Sequence, residues 1–232
     1  MTDIHSHILF NIDDGSKSIE ESLNMLNKLS FLGFNNIICT PHFIEGSNYN
    51  ANNAKKEKII NMLREKTNVN LFLGNEIFIN KKIDEYIKDG YIMPINNKYL
   101  LIEFPMHNAI KDDLDIFYEL QIKGYTIILA HPERYTFFQD DYKKINKYHE
   151  RGILFQCNYG SINGMYGHKA EKLLKYLLKK GWVDFLGTDI HHDSSKFCEE
   201  FANIEKRMIK YAGKEYYQKL INNGNKLVNN DI

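Results

Sequence analysis

Two short motifs, one near each end of the chain, have the spacing of metal-binding pairs. His5 and His7 are separated by one residue, and so are Asp189 and His191. Residues two apart on an extended segment point their side chains to the same side, so each pair could hold one metal ion or two adjacent ions. One such pair arises often by chance. Two pairs at opposite ends of the chain, both at the carboxyl ends of predicted strands, favour metal binding.

Other imidazole and carboxylate groups stand at similar places along the chain. His42 and His131 each follow a strongly apolar run, and Glu76 and Glu103 lie within or at the end of one. A carboxylate among apolar neighbours is costly unless it is paired or bound to a metal. The alternatives are core histidines bonded to backbone carbonyls and, for the glutamates, salt bridges to lysine or arginine. The number of such residues at apparent strand ends favours ligands.

Asp14 and Arg134 complete the candidate site. Asp14 belongs to an Asp-Asp-Gly sequence that could simply form a turn, yet its position just after the first histidine pair favours a ligand. Arg134 stands three residues after His131 in a chain with few arginines. A guanidinium matches phosphate oxygens through two parallel hydrogen bonds. The alternative for Arg134 is a surface ion pair with Glu133 or Asp140.

The metal-ligand prediction therefore comprises His5, His7, Asp14, His42, Glu76, Glu103, His131, Asp189 and His191. Mixed imidazole and carboxylate ligands suit Mn, Fe or Zn better than Ca or a thiolate-bound metal. Nine groups are too many for one tetrahedral ion but suit two or three ions that share a bridging carboxylate. Such a cluster beside an arginine is expected for phosphoester hydrolysis, because metals activate water and neutralise charge on phosphoryl oxygens.

The elements that would position these residues alternate along the chain. β-Branched runs followed by segments of helical apolar spacing predict parallel strands with crossover helices. Strands are predicted over residues 2–5, 36–40, 70–77, 99–104, 126–130, 153–157 and 183–187. Helices are predicted near residues 17–33, 51–66, 80–89, 110–123, 140–151, 167–180, 195–212 and 213–226. Because the carboxyl ends of parallel strands open on one face of a barrel, the candidate ligands would converge there.

Composition narrows the class of protein further. The chain has 232 residues with 43% hydrophobic content, which predicts a single domain over residues 1–232. Lys plus Arg and Asp plus Glu both number 30, so no bulk charge favours nucleic acid or an anionic membrane. Three cysteines without paired spacing argue against a disulfide framework and favour the cytoplasm. We expect neither a signal peptide nor a membrane span.

Seven groups of residues along nearly the whole chain resemble one known family. They are Asp3-Ile4-His5-Ser6-His7-Ile8-Leu9 with Asp13-Asp14-Gly15, Thr40-Pro41-His42, Gly74-Asn75-Glu76, Leu101-Ile102-Glu103-Phe104-Pro105, Ala130-His131-Pro132-Glu133-Arg134, Gln156-Cys157-Asn158 and Thr188-Asp189-Ile190-His191. These motifs resemble the polymerase-and-histidinol-phosphatase (PHP) domain. Within that family they are similar to the bacterial tyrosine-protein phosphatases of capsular and exopolysaccharide loci.

The resemblance implies an α/β fold, a single-domain distorted (β/α)7 TIM-like barrel that holds three divalent metal ions, commonly Mn2+. It implies one ion held by His5, His7, Glu76 and Asp189, a second by Glu76, Glu103 and His131, and a third by Asp14, His42 and His191. Catalysis would depend on Arg134, Glu76, Asp189 and His191, and Arg134 would orient the phosphate. Some relatives have a second arginine where this chain has Lys196, which keeps the charge for substrate binding but not the two-pronged geometry.

The activity that the resemblance implies is manganese-dependent hydrolysis of phosphotyrosine by a metal-held hydroxide. The implied substrate is the tyrosine-rich tail of a bacterial tyrosine kinase that regulates capsule or exopolysaccharide synthesis. One alternative is a phosphatase for a small phosphomonoester such as histidinol phosphate. A nucleic-acid phosphodiesterase is less favoured because the chain is neutral. A further alternative is a metal-binding module without turnover.

Overall fold

A computed structural model of the chain describes residues 1–108 and 110–229, with only the backbone described at residue 229. Residues 109 and 230–232, which the single-domain prediction includes, lie outside the described residues. The strands are β1 Thr2–Ser6, β2 Asn36–Cys39, β3 His42–Phe43, β4 Asn70–Leu73, β5 Glu76–Phe78, β6 Tyr99–Glu103, β7 Thr126–Ala130, β8 Leu154–Asn158 and β9 Phe185–Gly187. The α-helices are α1 Ile19–Phe31, α2 Asn53–Arg64, α3 Ile83–Lys88, α4 Asp113–Ile122, α5 Thr136–Asp140, α6 Asn146–Glu150, α7 His168–Lys180, α8 Phe197–Ala212 and α9 Lys214–Asn229.

The strands pair in parallel, which confirms the predicted α/β class. One sheet has the order β1-β2-β4, and the other has the order β3-β5-β6-β7-β8-β9. All the ladders between these strands are parallel. The chain passes twice from the first sheet into the second, from β2 into β3 and from β4 into β5. The register pairs His42 of β3 with Glu76 of β5, so two candidate ligands are direct neighbours.

Two of the seven predicted strands are each broken in two. Pro41 lacks a backbone N–H and interrupts the second strand. In the third strand, Gly74 lies so close to Ile95 that an added Cβ would come within 2.5 Å of the isoleucine side chain. The two breaks lie side by side, with the backbone N–H of Glu76 donating to the carbonyl of Thr40 at 3.2 Å. After these breaks, His42 and Glu76 begin the two new strands and lie next to each other.

The sheets curl into a half-barrel. The first and last strands approach each other, and β1 meets the residues after β9 through one isolated bridge between Ser6 and Ile190. Around this bridge, the N–H of Asp189 donates to the carbonyl of His5 at 2.8 Å, and the N–H of His7 donates to the carbonyl of Ile190 at 3.0 Å. A closed seven-stranded barrel stays a prediction, because the strand pairing supports only the curled parallel sheet.

The α-helices agree with the prediction, except that α5 begins at Thr136, where no helix is predicted, and that the predicted helix over residues 140–151 is divided. In place of one helix, that segment contains the end of α5, a short 3₁₀ helix Tyr142–Ile145, and α6. Asp141 has an extended backbone, and its side chain accepts a hydrogen bond from the N–H of Lys143 at 3.0 Å, which starts a new turn there. No helix among residues 1–108 and 110–229 is both long enough and apolar enough to cross a membrane.

Apolar side chains fill both faces of the curved sheets. The larger cluster lies between the strands and the surrounding helices, and the smaller one includes Ile4, Ile38, Leu101, Ile128 and Leu227. The smaller cluster joins residues of β1, β2, β6 and β7 to the last helix. The polar candidates at the carboxyl ends of the strands therefore stand on a packed apolar base, which restricts their movement.

Candidate active site

The structure brings all nine predicted metal ligands together. They lie within the strands or in the segments that follow them: His5 in β1, His7 and Asp14 after it, His42 in β3, Glu76 in β5, Glu103 at the end of β6, His131 after β7, and Asp189 and His191 after β9. Each is within 3.6 Å of at least one other member, measured between side-chain nitrogen and oxygen atoms. Residues from both ends of the chain thus share one site.

One group of four ligand atoms has the dimensions of a metal site. His5 Nε2 and His7 Nε2 are 3.2 Å apart, and Glu76 Oε2 lies 3.0 Å from the first and 3.1 Å from the second. Asp189 Oδ1 lies 3.5 Å from both histidine nitrogens. Atoms bound at about 2.1 Å to a tetrahedral ion stand roughly 3.4 Å apart. These four residues, the set implied for the first ion, therefore fit a divalent metal.

The remaining candidates form two further groups that differ in part from the implied sets. One group is His42, Glu76 and Glu103, and the other is His7, Asp14, His42 and His191. His42 faces both groups, because its Nδ1 lies 3.0 Å from Glu103 and its Nε2 lies 3.5 Å from Asp14. His131 contacts the other oxygen of Glu76 at 2.7 Å. His42 therefore lies next to Glu76 and Glu103. The resemblance implies only one histidine, His131, for the ion that these two glutamates would bind.

Unpartnered buried atoms also fit a site for metal ions. His42 Nδ1 and His131 Nδ1 are buried, and neither has a hydrogen-bond partner among the described residues. Buried polar nitrogens normally have such a partner. His42 Nδ1 faces two carboxylates at short range without the angles of a hydrogen bond, and metal coordination would satisfy an atom in that position.

Glu76 is the centre of the cluster. Its buried carboxylate contacts four histidines: His5, His7, His42 and His131. Burial alone would raise its pKa, but the charges of His5 and His42 and the hydrogen bonds that it accepts hold the pKa of Glu76 well below its ordinary value. Neither Glu76 nor Glu103 pairs with lysine or arginine in the described part of the chain. The salt-bridge alternative for both glutamates is therefore wrong.

The titration of the histidines follows from their neighbours. Burial alone would lower the pKa of His5, but the negative charges of Glu76 and Asp189 outweigh it and raise that pKa. The pKa of His42 is likewise raised to about 9, because Glu76 and Glu103 outweigh the effect of burial. Burial and the charge of His7 lower the pKa of His191 to about 4. His191 is therefore neutral near pH 7, as a metal ligand must be.

Other polar residues hold the histidine rings from behind. His5 Nδ1 lies 2.8 Å from Gln156 Oε1, and His7 Nδ1 lies 2.8 Å from Asp13 Oδ2. Metal-binding histidines typically have such a partner on the ring nitrogen that faces away from the ion. Asp13 also accepts hydrogen bonds from the backbone N–H groups of Gly15 and His42. The sequence reasoning selected Asp14 and missed this role of Asp13, although adjacent carboxylates after a His-x-His motif were a usable signal.

Two candidate ligands have a backbone conformation that residues other than glycine rarely adopt. The φ angle is 30° at His131 and 54° at Asp189. Residues other than glycine at positive φ carry a conformational cost and occur often at functional sites. Both residues follow the end of a strand, and this conformation turns their side chains into the cluster.

Arg134 lies at the edge of the same site. Its Nη1 donates to Asp189 Oδ2 at 2.5 Å, and that oxygen also accepts a hydrogen bond from Asn158 Nδ2 at 2.8 Å. The alternative of a surface ion pair with Glu133 or Asp140 is wrong. Glu133 is buried and accepts hydrogen bonds from the backbone N–H of Asn158 and the hydroxyl of Ser161 instead, and Asp140 pairs with Lys169.

Lys196 stands apart from the cluster. It is exposed at the start of α8. Within the described residues its side chain forms no hydrogen bond or ion pair with any of the nine candidate ligands, and it does not line the cavity. The structure thus brings Arg134 to the cluster but leaves Lys196 outside it.

The cluster opens into a small cavity of about 200 Å³. Its lining consists of Asp14, His42, Glu76, Glu103, Met106, His131, Arg134, Asp189 and His191. The side chain of Asp14 is 49% exposed, whereas that of Glu76 is 1% exposed, so the cluster has an accessible rim and a buried floor. Fold and site together define an α/β protein with a candidate multi-metal centre and one arginine at the carboxyl ends of parallel strands.

Comparison with known proteins identifies the family. Residues 1–229 match the family described as capsular polysaccharide synthesis, CpsB/CapC. Since this match spans nearly the whole chain, the chain belongs to the CpsB/CapC family.

Relatives in several bacteria support this assignment. The chain is 33% identical to CapC of Staphylococcus aureus, over all of this chain and 92% of CapC. It is 29% identical to the tyrosine-protein phosphatase YwqE of Bacillus subtilis, over 83% of this chain and 78% of YwqE. A solved structure superposes with a TM-score of 0.89 at 27% identity, covering 100% of this chain and 96% of the other. It comes from work on YwqE and on CpsB of Streptococcus pneumoniae, which are described there as unique metal-dependent tyrosine phosphatases.

Proposed function

We propose that this chain is a metal-dependent protein-tyrosine phosphatase that acts in capsule or exopolysaccharide synthesis. The observation that carries the proposal is the cluster of nine imidazole and carboxylate side chains, seven of which line the cavity together with Arg134. Membership of the CpsB/CapC family supports it, as do relatives named tyrosine-protein phosphatases. A phosphate monoester needs charge neutralisation and an activated water, and a cluster of this composition suits both requirements.

The proposed site is of the PHP type, in a distorted seven-stranded barrel with three divalent ions, preferably Mn2+. His5, His7, Glu76 and Asp189 would hold the first ion. Glu76 and Glu103, with His42 and His131 beside them, would hold the second. Asp14, His42 and His191 would hold the third. The short distances within each group and the mixed nitrogen and oxygen donors support this assignment.

Bound divalent ions would supply an activated water and would neutralise negative charge on the phosphate. The residues of this chain bind and orient the substrate. Arg134 donates hydrogen bonds to phosphate oxygens, and Asp189 keeps the guanidinium at the cavity. Glu76, Asp189 and His191 contribute to catalysis as metal ligands, because each would bind an ion through its own carboxylate oxygen or imidazole nitrogen. The tyrosine leaving group needs little help from a general acid, because its own pKa is near 10.

A cysteine nucleophile is not part of this proposal. Among the described residues, Cys39, Cys157 and Cys198 are free thiols, and the first two are buried. Burial raises the pKa of Cys39 to about 12. A thiol with such a pKa is protonated near pH 7 and does not attack phosphorus. Free thiols also suit the cytoplasm, where we place the protein.

The proposed substrate is a phosphotyrosine protein, specifically the tyrosine-rich tail of a bacterial tyrosine kinase. The rim of the cavity favours a flexible segment, because the phosphate must reach ligands that lie well below the surface. For Lys196 we propose only a contribution of positive charge outside the cavity, since its side chain is exposed and does not line the cavity.

Turnover of three substrates tests the proposal. Protein loaded with Mn2+ should release phosphate from a phosphotyrosine peptide faster than from histidinol phosphate or an oligonucleotide, and a chelator should abolish the reaction. Good turnover of histidinol phosphate without peptide hydrolysis would favour the small phosphomonoester. Bound metal without hydrolysis of any ester would favour the binding module.

A further inference from the structure

An aromatic ring covers the candidate phosphate-binding arginine. The ring of Tyr166 lies with its centroid 4.5 Å from the guanidinium carbon of Arg134. This distance is within the range of a cation–π contact. Tyr166 belongs to none of the motifs that suggested the site, and it lies in the connection between β8 and α7.

Two contacts hold the guanidinium of Arg134: a hydrogen bond to Asp189 and the ring of Tyr166. Its side-chain hydrogen bond within the described residues runs from Nη1 to Asp189 Oδ2. A guanidinium has five N–H donors in one plane, so this bond leaves donors available to a phosphate. A single hydrogen bond permits rotation of the plane about that bond. The ring of Tyr166 restricts this rotation, because the guanidinium carbon lies over the ring at 4.5 Å from its centroid.

The position of Tyr166 is determined by its own turn. Gly164 and Gly167 flank the segment, both with positive φ, and the N–H of Gly167 donates to the carbonyl of Gly164 at 2.9 Å. The preceding Met165 packs on Gly160, where an added Cβ would lie 2.6 Å from the methionine sulfur. None of these contacts involves a candidate metal ligand. The turn that holds the ring is therefore formed without the metal ligands, and the hydroxyl of Tyr166 lies beside Asn158, which donates to Asp189 Oδ2.

We propose that Tyr166 is a positioning residue that keeps the guanidinium plane of Arg134 oriented for two-pronged binding of phosphate. This inference rests on the proposed function, since it assigns phosphate binding to Arg134. It adds a residue outside the cluster whose aromatic face, rather than its hydroxyl, does the positioning. Loss of the ring should weaken phosphate binding without loss of metal.

Phosphate binding to the metal-loaded protein tests this inference directly. We would measure the Kd of inorganic phosphate by calorimetry, and the metal content by elemental analysis, for the wild type, Tyr166→Leu and Tyr166→Phe. Tyr166→Leu should bind phosphate roughly 3- to 30-fold more weakly, which is the range of a cation–π contact. Tyr166→Phe keeps the ring and should bind within about twofold of the wild type, as expected for a contact made by the aromatic face. Metal content should be the same in all three proteins.

A double-mutant cycle separates an effect through Arg134 from a general structural one. In an Arg134→Ala background, Tyr166→Leu should cause no further loss of phosphate affinity, because the guanidinium that it orients is gone. Equal phosphate affinity in Tyr166→Leu and the wild type, metal loss in Tyr166→Leu, or an additive loss in the double variant would each overturn the inference.

The inference about Tyr166 can be tested even if the proposed phosphatase function is wrong. If the protein does not hydrolyse phosphotyrosine peptides, the Kd of inorganic phosphate still reports on Tyr166 and Arg134. Wild-type protein that binds metal but no phosphate would overturn the inference itself.

Discussion

At the scale of single residues, the site depends on how charge is balanced around Glu76. One cationic partner often does not offset the desolvation cost of a buried carboxylate, and Glu76 has four imidazoles around it. Without metal, His5, His7 and His42 have raised pKa values because carboxylates surround them. A metal ion at these atoms would take over the neutralising role of the protons. The negative charge of the carboxylates can therefore be neutralised either by protons bound to the histidines or by metal ions bound in place of those protons.

Replacement of one ligand should show this directly. His5→Ala removes a nitrogen that lies within 3.5 Å of both Glu76 and Asp189, so we expect it to lower the metal content by about one ion per chain. Elemental analysis after dialysis against Mn2+ measures this content. His168→Ala is the matched control, since His168 is exposed and lies on α7 away from the cluster. Full metal occupancy in His5→Ala would contradict the assignment of His5.

At the scale of elements, the two broken strands decide where His42 and Glu76 lie. Asn75 connects the breaks: its Nδ2 donates to the carbonyl of Pro41 at 2.9 Å, next to His42. Its Oδ1 accepts a hydrogen bond from Lys56 Nζ at 2.6 Å. Lys56 is fully buried on α2 and also donates to the carbonyl of Tyr91. Helix α2 thereby fixes the two strand breaks that directly precede His42 and Glu76.

This buried lysine should make stability depend on pH. Burial lowers the pKa of Lys56 to about 7 in the folded chain, from an ordinary value of 10.5. Between these values the unfolded chain binds a proton that the folded chain lacks, so the unfolding free energy rises with pH. Lys56→Met lacks this contribution. The stability of the wild type relative to Lys56→Met should therefore increase from pH 7 to 9.5, by on the order of 3 kcal/mol.

Urea unfolding at several pH values measures this difference. Lys58→Met, on the exposed side of the same helix, is the control and should follow the wild type at each pH. A constant difference between Lys56→Met and the wild type over this pH range would show that Lys56 stays charged in the folded chain.

At the scale of the whole molecule, the site ties the first strand to the last. Asp3 in β1 accepts hydrogen bonds from the backbone N–H of Thr188 at 2.9 Å and from its hydroxyl at 2.6 Å. Next to this contact, His5 and Asp189 face each other across the same seam. Because only one isolated bridge joins the backbones there, metal ions shared by His5 and Asp189 would add a strong link between the two ends of the sheet.

Removal of metal should therefore destabilise the entire fold. At a free metal concentration of 100 times the Kd, binding adds about 2.7 kcal/mol to the unfolding free energy. For a chain of this size, that corresponds to an increase in Tm of roughly 5 to 10 °C. Thermal unfolding followed with EDTA and then with excess Mn2+ measures the shift. Equal Tm values under both conditions would argue against metal ions within the cluster.

The sequence alone predicted the class of the fold and the residues of the candidate site. Apolar runs alternating with helical segments identified seven strand regions, because local periodicity depends on which faces a segment buries. Most of the candidate ligands were selected from their places at the ends of these runs, Asp14 from its position after the first histidine pair, and Arg134 from its position three residues after His131. The expected phosphatase class agrees with the names of the relatives YwqE and CpsB.

Only the tertiary structure decided which atoms meet. It broke two strands beside Pro41 and Gly74, turned His42 toward both Glu103 and Asp14, and paired Arg134 with Asp189 rather than with a neighbour in sequence. It also brought Asp13 and Tyr166 to the site. The reason is physical: spacing along the chain determines local geometry, whereas contacts between distant segments depend on how the curled sheet packs. No local pattern contains that information.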